Sequence, residues 1–365
     1  MPRLGSRVRI PSPAPLVIKM NYKNIFLISR LLFLAFSLIL VNCSKNTVRI
    51  ENVDSDLEEQ EAILQKKILI EQMADSAKIL HNISWPVLKK NKEFCNTSNN
   101  FSFGFLFATA KDLAPKDFPL YKKIFNSNIK KSIFEDYGTK SFPVVISIAK
   151  NSPAQDGELL ENDIILEINA ENTSNFRKKL SEMLSKRRLL SMKILRNGEI
   201  IEKQMLGIKI CNYNIQPLPS AMPNAFADGK KIFVTLGAIK LANTVDELAF
   251  LIGHELAHNI FHYKSTGSNE ALTHSIKYDD RPKIRDLKSI LVYSNQRREI
   301  EADIKGLELA YRAGFDLKNV NDYWRRLSVF YPELIKKSSI YHKGNAYRAS
   351  LIKKTLERIK ENYEK

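Results

Sequence analysis

Residues 251–263 read LIGHELAHNIFHY, which sets His254 and His258 four positions apart with Glu255 between them. On a helix that spacing stacks the two imidazoles one turn apart on a single face, where they can share one zinc ion. Glu255 is rotated from His254 by about 100°, so its carboxylate reaches a water beside the metal rather than the metal itself. Zinc lowers the pKa of a water it binds, and a carboxylate that takes the proton makes that water a nucleophile for a peptide carbonyl. With six histidines in 365 residues, a chance match to this pattern is rare, about one in a hundred. The chemistry on offer is metal-assisted hydrolysis.

A catalytic zinc needs a third protein ligand and keeps one position open. A histidine ten residues beyond His254 would serve, but position 264 is lysine. His262 follows His258 by four, yet three successive turns of one straight helix do not converge on one ion. Capping or packing is its expected duty. A second segment, RREIEADIKGLELAYRAGFD, carries Glu299 and Asp303 four apart on one face. One of the two can bind metal while the other orients a ligand histidine through its far nitrogen. Glu301 points about 200° away from Glu299 on such a helix and is expected to face solvent.

These side chains need rigid elements under them. Thr244 is placed to cap the first helix, with Glu247 three residues on completing a capping box. Leu248, Leu251, Ile252, Leu256 and Ile260 give that helix its buried side. The second helix is expected over residues 296–313, closed by Gly314 at the C′ position. A strand is expected over residues 231–236, after a linker-like run at 217–223, and a polar surface loop at 264–285. Upstream, residues 58–90 read as a helix, kinked or interrupted near Pro86. Its stripe of Ile63, Leu64, Ile68, Leu69, Met73, Ala77 and Leu80 implies one buried face. Residues 96–107 read as a loop leading into a strand, with a formal glycosylation triplet at Asn96-Thr97-Ser98. Residues 133–205 change to short strands, ending in a hairpin that turns at Asn197-Gly198.

HELAH followed some 40 residues later by the ExEAD run resembles the zinc peptidases that include CAAX prenyl-protein endopeptidases, HtpX membrane proteases and periplasmic outer-membrane quality-control proteases. The resemblance implies a gluzincin: Glu299 as third ligand with His254 and His258, Glu255 as base, Asp303 as the motif's final aspartate, one Zn2+ per chain. It also implies that residues 224–239 hold a strand whose exposed edge aligns substrate as an added strand. His342 and Arg348, six apart, match the family's HPxxxxR element with Lys343 in place of proline. His342 is therefore a candidate catalytic residue, either donating to the oxyanion or closing the site as a fourth ligand. Within 133–205, PVVISIAKNSPAQDGELLENDIILEINAENTS is similar to PDZ domains of periplasmic proteases, with residues 176–184 as the helix beside the peptide groove. Gly157-Glu158-Leu159 stands where such domains have Ala-Gly-Leu.

The N-terminus reads as an address. The apolar run LLFLAFSLILV covers 11 residues, too short for a span of about 20 but suited to the core of a secretory signal flanked by Lys23 and Arg30. Cys43 follows in LVNC, which resembles a bacterial lipobox with Asn42 where a small residue is usual. Cys43 is thus the expected lipidation site and the lipid an anchor rather than a span. The run GSRVRIPSPAP reads as a translated tRNA T-arm and CCA end, which makes residues 1–19 a misannotated start and Met20 the expected first residue. Setting aside the six Lys/Arg of residues 1–42 lowers the formal charge from +17 to +11. The remaining lysines are scattered, which disfavours nucleic acid and suits an anionic membrane surface. Cys95 and Cys211 remain, and an oxidising compartment makes them a natural disulfide.

The expected organisation is an α+β protein. It has a leader (1–42, with the signal peptide at 20–42), a lipid-anchored tether (43–57), an N-terminal helical segment (58–132), a PDZ-like β domain (133–205) and a mainly helical metallopeptidase domain with a small edge-strand sheet (206–365). The expected setting is the periplasmic face of a bacterial envelope membrane, with unfolded or mislocalised envelope proteins as substrates. The rival from another class is a PDZ-bearing chaperone or assembly factor whose zinc site is structural or inactive. An intact Glu255 weighs against it, because a structural site has no need of a base.

Overall fold

The computed structural model describes residues 52–95, 101–173, 188–263, 295–338 and 342–363. The leader, Cys43, the Asn96 triplet, the groove helix at 176–184 and the loop at 264–285 lie outside them. The chain divides into Met1–Glu58 and Glu59–Lys365, and the packing described here belongs to the second unit. No helix among the described residues is long and apolar enough to cross a membrane.

Helix α1, Ser55–Lys90, continues through Pro86 to its end. The expected interruption is absent because Trp85, Val87 and Leu88 are buried in the same core as the helix that carries His254 and His258, contacts that offset the backbone bond proline forfeits. The buried face starts later than the stripe predicted. Met73, Ala77 and Leu80 are buried, whereas Ile63, Leu64, Ile68 and Leu69 are exposed. The physical reason is the partner: Leu120 packs on Ile70, Met73 and Ala77, whereas the turn before them meets its neighbour through an ion pair, Lys66 with Asp117 at 3.0 Å, rather than through apolar side chains.

Strands β1 (Phe101–Ser102) and β2 (Phe105–Ala108) precede helices α2 (Phe118–Phe125) and α3 (Lys131–Asp136). Then come β3 (Val144–Ile148), the one-turn α4 (Pro153–Asp156), β4 (Ile164–Ile168), β5 (Glu171–Asn172), β6 (Leu189–Arg196) and β7 (Glu199–Leu206). The main sheet runs β2-β3-β4-β6-β7, with β5 paired to β4. The β unit therefore takes in β2, which lies within the segment 58–132 expected to be helical, because Phe105–Ala108 pairs antiparallel with β3. Its core is Phe103, Phe105, Val145, Ile165, Ile168 and Met192 with their neighbours. The β6–β7 hairpin turns at Asn197 and Gly198, both at positive φ, as a two-residue primed turn requires. Buried Asp163 fixes the turn before β4: it accepts from Leu160 N–H at 2.7 Å and from Arg196 at 2.6 and 2.7 Å.

Beyond β8 (Ile208–Lys209), which pairs with β1 in a two-stranded sheet, the chain builds a three-stranded sheet ordered β10-β11-β9. Its strands are β9 (Asn214–Leu218), β10 (Ala225–Ala227) and β11 (Lys231–Thr235). The linker-like run thus begins inside a strand: β9 lies parallel to β11, with Pro217 opposite Val234. Proline is tolerated there because β9 is an edge strand. Helices α5 (Leu236–Leu241), α6 (Val245–Ala257), α7 (Gln296–Arg312), α8 (Asn321–Phe330) and α9 (Asn345–Tyr363) complete the fold. Leu236 belongs to α5 rather than to the strand because the Thr235 hydroxyl caps α5, accepting from Ala238 N–H. Mixed helices and sheets make the chain α+β.

Helices α6 and α7 touch backbone to backbone. A Cβ on Gly306 would lie 2.5 Å from the His254 nitrogen, and one on Gly253 2.5 Å from the Gly306 carbonyl oxygen. The missing side chains let the two helices meet at the level of the site. Gly314 closes α7 at φ +90°, as expected of a C′ glycine.

Candidate metal centre

Helix α6 starts at Thr244, whose hydroxyl accepts from Glu247 N–H at 3.3 Å. The capping box is not reciprocal. The Glu247 carboxylate takes the Asn243 N–H at 2.7 Å and pairs with Arg326 from α8, a stronger, charge-assisted partner for a buried carboxylate. The helix then delivers His254, Glu255 and His258 to the floor of a cleft of about 420 Å³. It does not continue as α-helix to residue 263: His258–His262 is a π turn, closed by Tyr263 N–H on the His258 carbonyl at 3.1 Å.

Helix α7, capped by Asn295 on Arg298 N–H, supplies Glu299 opposite. His254, His258 and Glu299 are buried, and each offers one ligand atom within 4.8 Å of the others. The two Nε2 atoms lie 3.2 Å apart, with Glu299 oxygens 3.3 Å from that of His254 and 3.4 Å from that of His258. Donors bonded at 2.0–2.1 Å to a tetrahedral ion stand about 3.3–3.4 Å from one another, so the spacing suits zinc. The tautomers suit it too. The Asp303 carboxylate lies 2.9 Å from His254 Nδ1, and because it only accepts, that nitrogen holds the hydrogen while Nε2 faces the cluster.

Arg348 on α9 anchors this array. Its guanidinium donates to Asp303 at 2.9 and 2.6 Å and lies 3.8 Å over the Trp324 ring. Burial would raise Asp303, but Arg348 and then His254 pull it down to about 2. Burial would lower His254, and hydrogen bonds to Asp303 and Glu299 outweigh it and raise it. Burial would likewise raise Glu299, yet hydrogen bonds from His254, His258 and His342 hold it far below the usual carboxylate range. His258 goes the other way: burial, which its hydrogen bond to Glu299 only partly opposes, lowers it, so its neutral form, the one that can ligate a metal, is favoured. Glu255 differs: burial pushes it up to about 7, with His254 the main opposing influence, which poises it to accept a proton near neutrality.

His342 places Nδ1 3.1 Å from Glu299 Oε2 and is half-exposed in the cleft wall. It is not in the three-residue cluster. Glu301 is half-exposed, as expected, but meets His262 Nε2 at 3.3 Å. Cys95 and Cys211 are bonded to each other within the core that holds α6.

Two residues escaped the sequence reading. Buried Asn259 accepts Gly229 N–H at 2.8 Å and donates to the Lys231 carbonyl at 3.2 Å. Tyr263 donates to the Ala227 carbonyl at 2.7 Å. Together they tie the β10–β11 hairpin to the end of the helix that carries His254 and His258, so that β10 lines the cleft with Glu255. Nothing in their spacing signals this, because both act on backbone groups some 30 residues away.

Residues 199–268 match the model of Peptidase family M48. No curated protein matches the chain. Among solved structures, the HtrA-type protease AlgW with decapeptide is 25% identical with a TM-score of 0.19, over 22% of this chain and 26% of that one. A second structure of that protease, with tripeptide, is 21% identical with a TM-score of 0.21, over 30% of this chain and 32% of that one. The chain thus spans about a quarter to a third of the length of these structures, and at such TM-scores neither bears on the fold. The family match covers His254, Glu255 and His258 and stops before Glu299. Joined to the geometry that adds Glu299, it supports a metallopeptidase.

Proposed function

We propose that the protein is a zinc-dependent endopeptidase of the CAAX endopeptidase/HtpX type. The observation that carries the reading is the convergence of two imidazole nitrogens and one carboxylate at tetrahedral-edge spacing, with a buried carboxylate, Glu255, in the same cleft. Zinc held there would supply Lewis-acid activation of water and of the scissile carbonyl. Glu255 takes the proton of the attacking water and returns it to the leaving amine. An extended substrate lies along β10, an edge strand of its sheet, with apolar side chains toward Trp324, Leu327 and Tyr331 of the cleft. His342, beside Glu299 at the cleft wall, donates to the oxygen on which charge develops.

The β unit acts as a PDZ-like module that captures extended segments or C-termini of unfolded or mislocalised envelope proteins. The chain works as a lipoprotein anchored through Cys43 at the periplasmic face of a membrane, in protein quality control. Purified protein should cleave unfolded casein, lose that activity to a chelator and regain it with added zinc. Casein turnover that survives complete zinc removal would refute the reading.

A further inference from the structure

The two histidines facing the cluster are oriented by different partners. His254 presents Nδ1 to Asp303, a buried carboxylate fixed by Arg348. His258 presents Nδ1 to another imidazole, His262, at 2.8 Å. The rings stand 4.9 Å apart at 64°, and His262 continues through Nε2 to Glu301 Oε2 at 3.3 Å.

Hydrogen accounting gives this line a direction. With Nε2 of His258 offering its lone pair to the cluster, its Nδ1 carries hydrogen and donates to Nδ1 of His262. That nitrogen then accepts, so the His262 hydrogen sits on Nε2 and is donated to Glu301. Every polar atom along the line is satisfied by one proton arrangement. His262 cannot itself be a ligand in this geometry, because both of its nitrogens are engaged away from the cluster. The π turn is the backbone device behind the contact, since it closes over just these five residues; such turns are rare and often mark functional sites.

We infer that His262 is a positioning residue for the zinc ligand His258, backed by Glu301, and that it tightens zinc binding by fixing the tautomer and ring plane of His258. The inference rests on the zinc-site reading above. Partners of this kind are worth about 10–100-fold in metal affinity.

The test measures the zinc Kd of the full chain by competition with a chromophoric chelator. His262→Leu, which removes the acceptor, should raise the Kd by about 10–100-fold. His262→Asn, whose Oδ1 can stand in for Nδ1, should stay close to wild type, and Glu301→Ala should fall between. Circular dichroism of the metal-free variants checks that they fold alike. A wild-type Kd in His262→Leu overturns the inference, as does an equal loss in His262→Asn and His262→Leu, which would mean packing rather than acceptance. Should His262→Leu fail to fold, exposed Glu301 decides: an unchanged Kd in Glu301→Ala overturns the inference. A wild-type chain that binds no zinc would instead refute the metal-site reading.

Discussion

Replacing Arg348 with leucine should destabilise the metal-free protein by about 3–5 kcal/mol, the usual loss when one partner of a buried ion pair is removed. Asp303 is 1% exposed and Arg348 7%, so water cannot replace the two hydrogen bonds of 2.9 and 2.6 Å. The native site holds Asp303 at about 2 against an ordinary 3.8, worth about 2 kcal/mol in favour of the ionised form. Leucine removes the largest source of that preference and leaves the burial penalty opposed mainly by His254. Because the native aspartate is depressed, its contribution is full above about 4 and is lost as pH falls toward 2. The gap between wild type and variant should therefore narrow on acidification. Urea unfolding of wild type, Arg348→Leu, Asp303→Leu and the double variant closes a cycle. The double variant should be less damaged than the sum of the singles, by about 2 kcal/mol or more. Additive losses, or a cost for Arg348→Leu below about 1 kcal/mol, would refute the claim that this pair supports the site.

Changing Glu299 to alanine should remove stoichiometric zinc, read by metal analysis of the purified protein, while a full equivalent of zinc would point to another third ligand. Free-thiol labelling of denatured, unreduced protein should find Cys95 and Cys211 blocked. Their bond spans 116 residues, so reduction should cost up to about 4–5 kcal/mol by chain entropy; two reactive thiols would disprove the link. In Gly306→Ala the new methyl must push α7 off the His254 backbone, so both melting temperature and zinc affinity should fall. A variant with wild-type values in both would mean the close helix contact is dispensable.

What the sequence disclosed follows from what sequence can encode. The helical spacing of His254, Glu255 and His258, the Thr244 cap, the Gly314 stop and the Asn197-Gly198 turn are local, and all are read within a few residues. The second helix is legible as the source of a third ligand, but the choice of Glu299 over Asp303 rests on a resemblance, since no local rule shows how two helices meet. The exclusion of His262 as a ligand rests on a straight helix, a premise the π turn breaks, yet both of its nitrogens are engaged elsewhere. Pro86 and the first turns of α1 misled in opposite directions. Buried neighbours carried the helix past the proline, and Ile63, Leu64, Ile68 and Leu69 stayed exposed because the contact made there is the Lys66–Asp117 ion pair rather than an apolar one. A strand is legible at the end of residues 96–107, but its place in the β unit is not, because its pairing with β3 is made across some 40 residues of intervening chain. Arg348 stands at a family-like spacing from His342, yet its partner Asp303 lies 45 residues away and only the fold shows it.

The central claim is that Glu255 works as the base beside a metal held by His254, His258 and Glu299. Glu255→Gln keeps the shape of that side chain and removes its ability to take a proton. Measured side by side with wild type, it should bind one zinc per chain with similar affinity and cleave unfolded casein at least about 100-fold more slowly. Cleavage by Glu255→Gln at the wild-type rate, with zinc bound, would contradict the account.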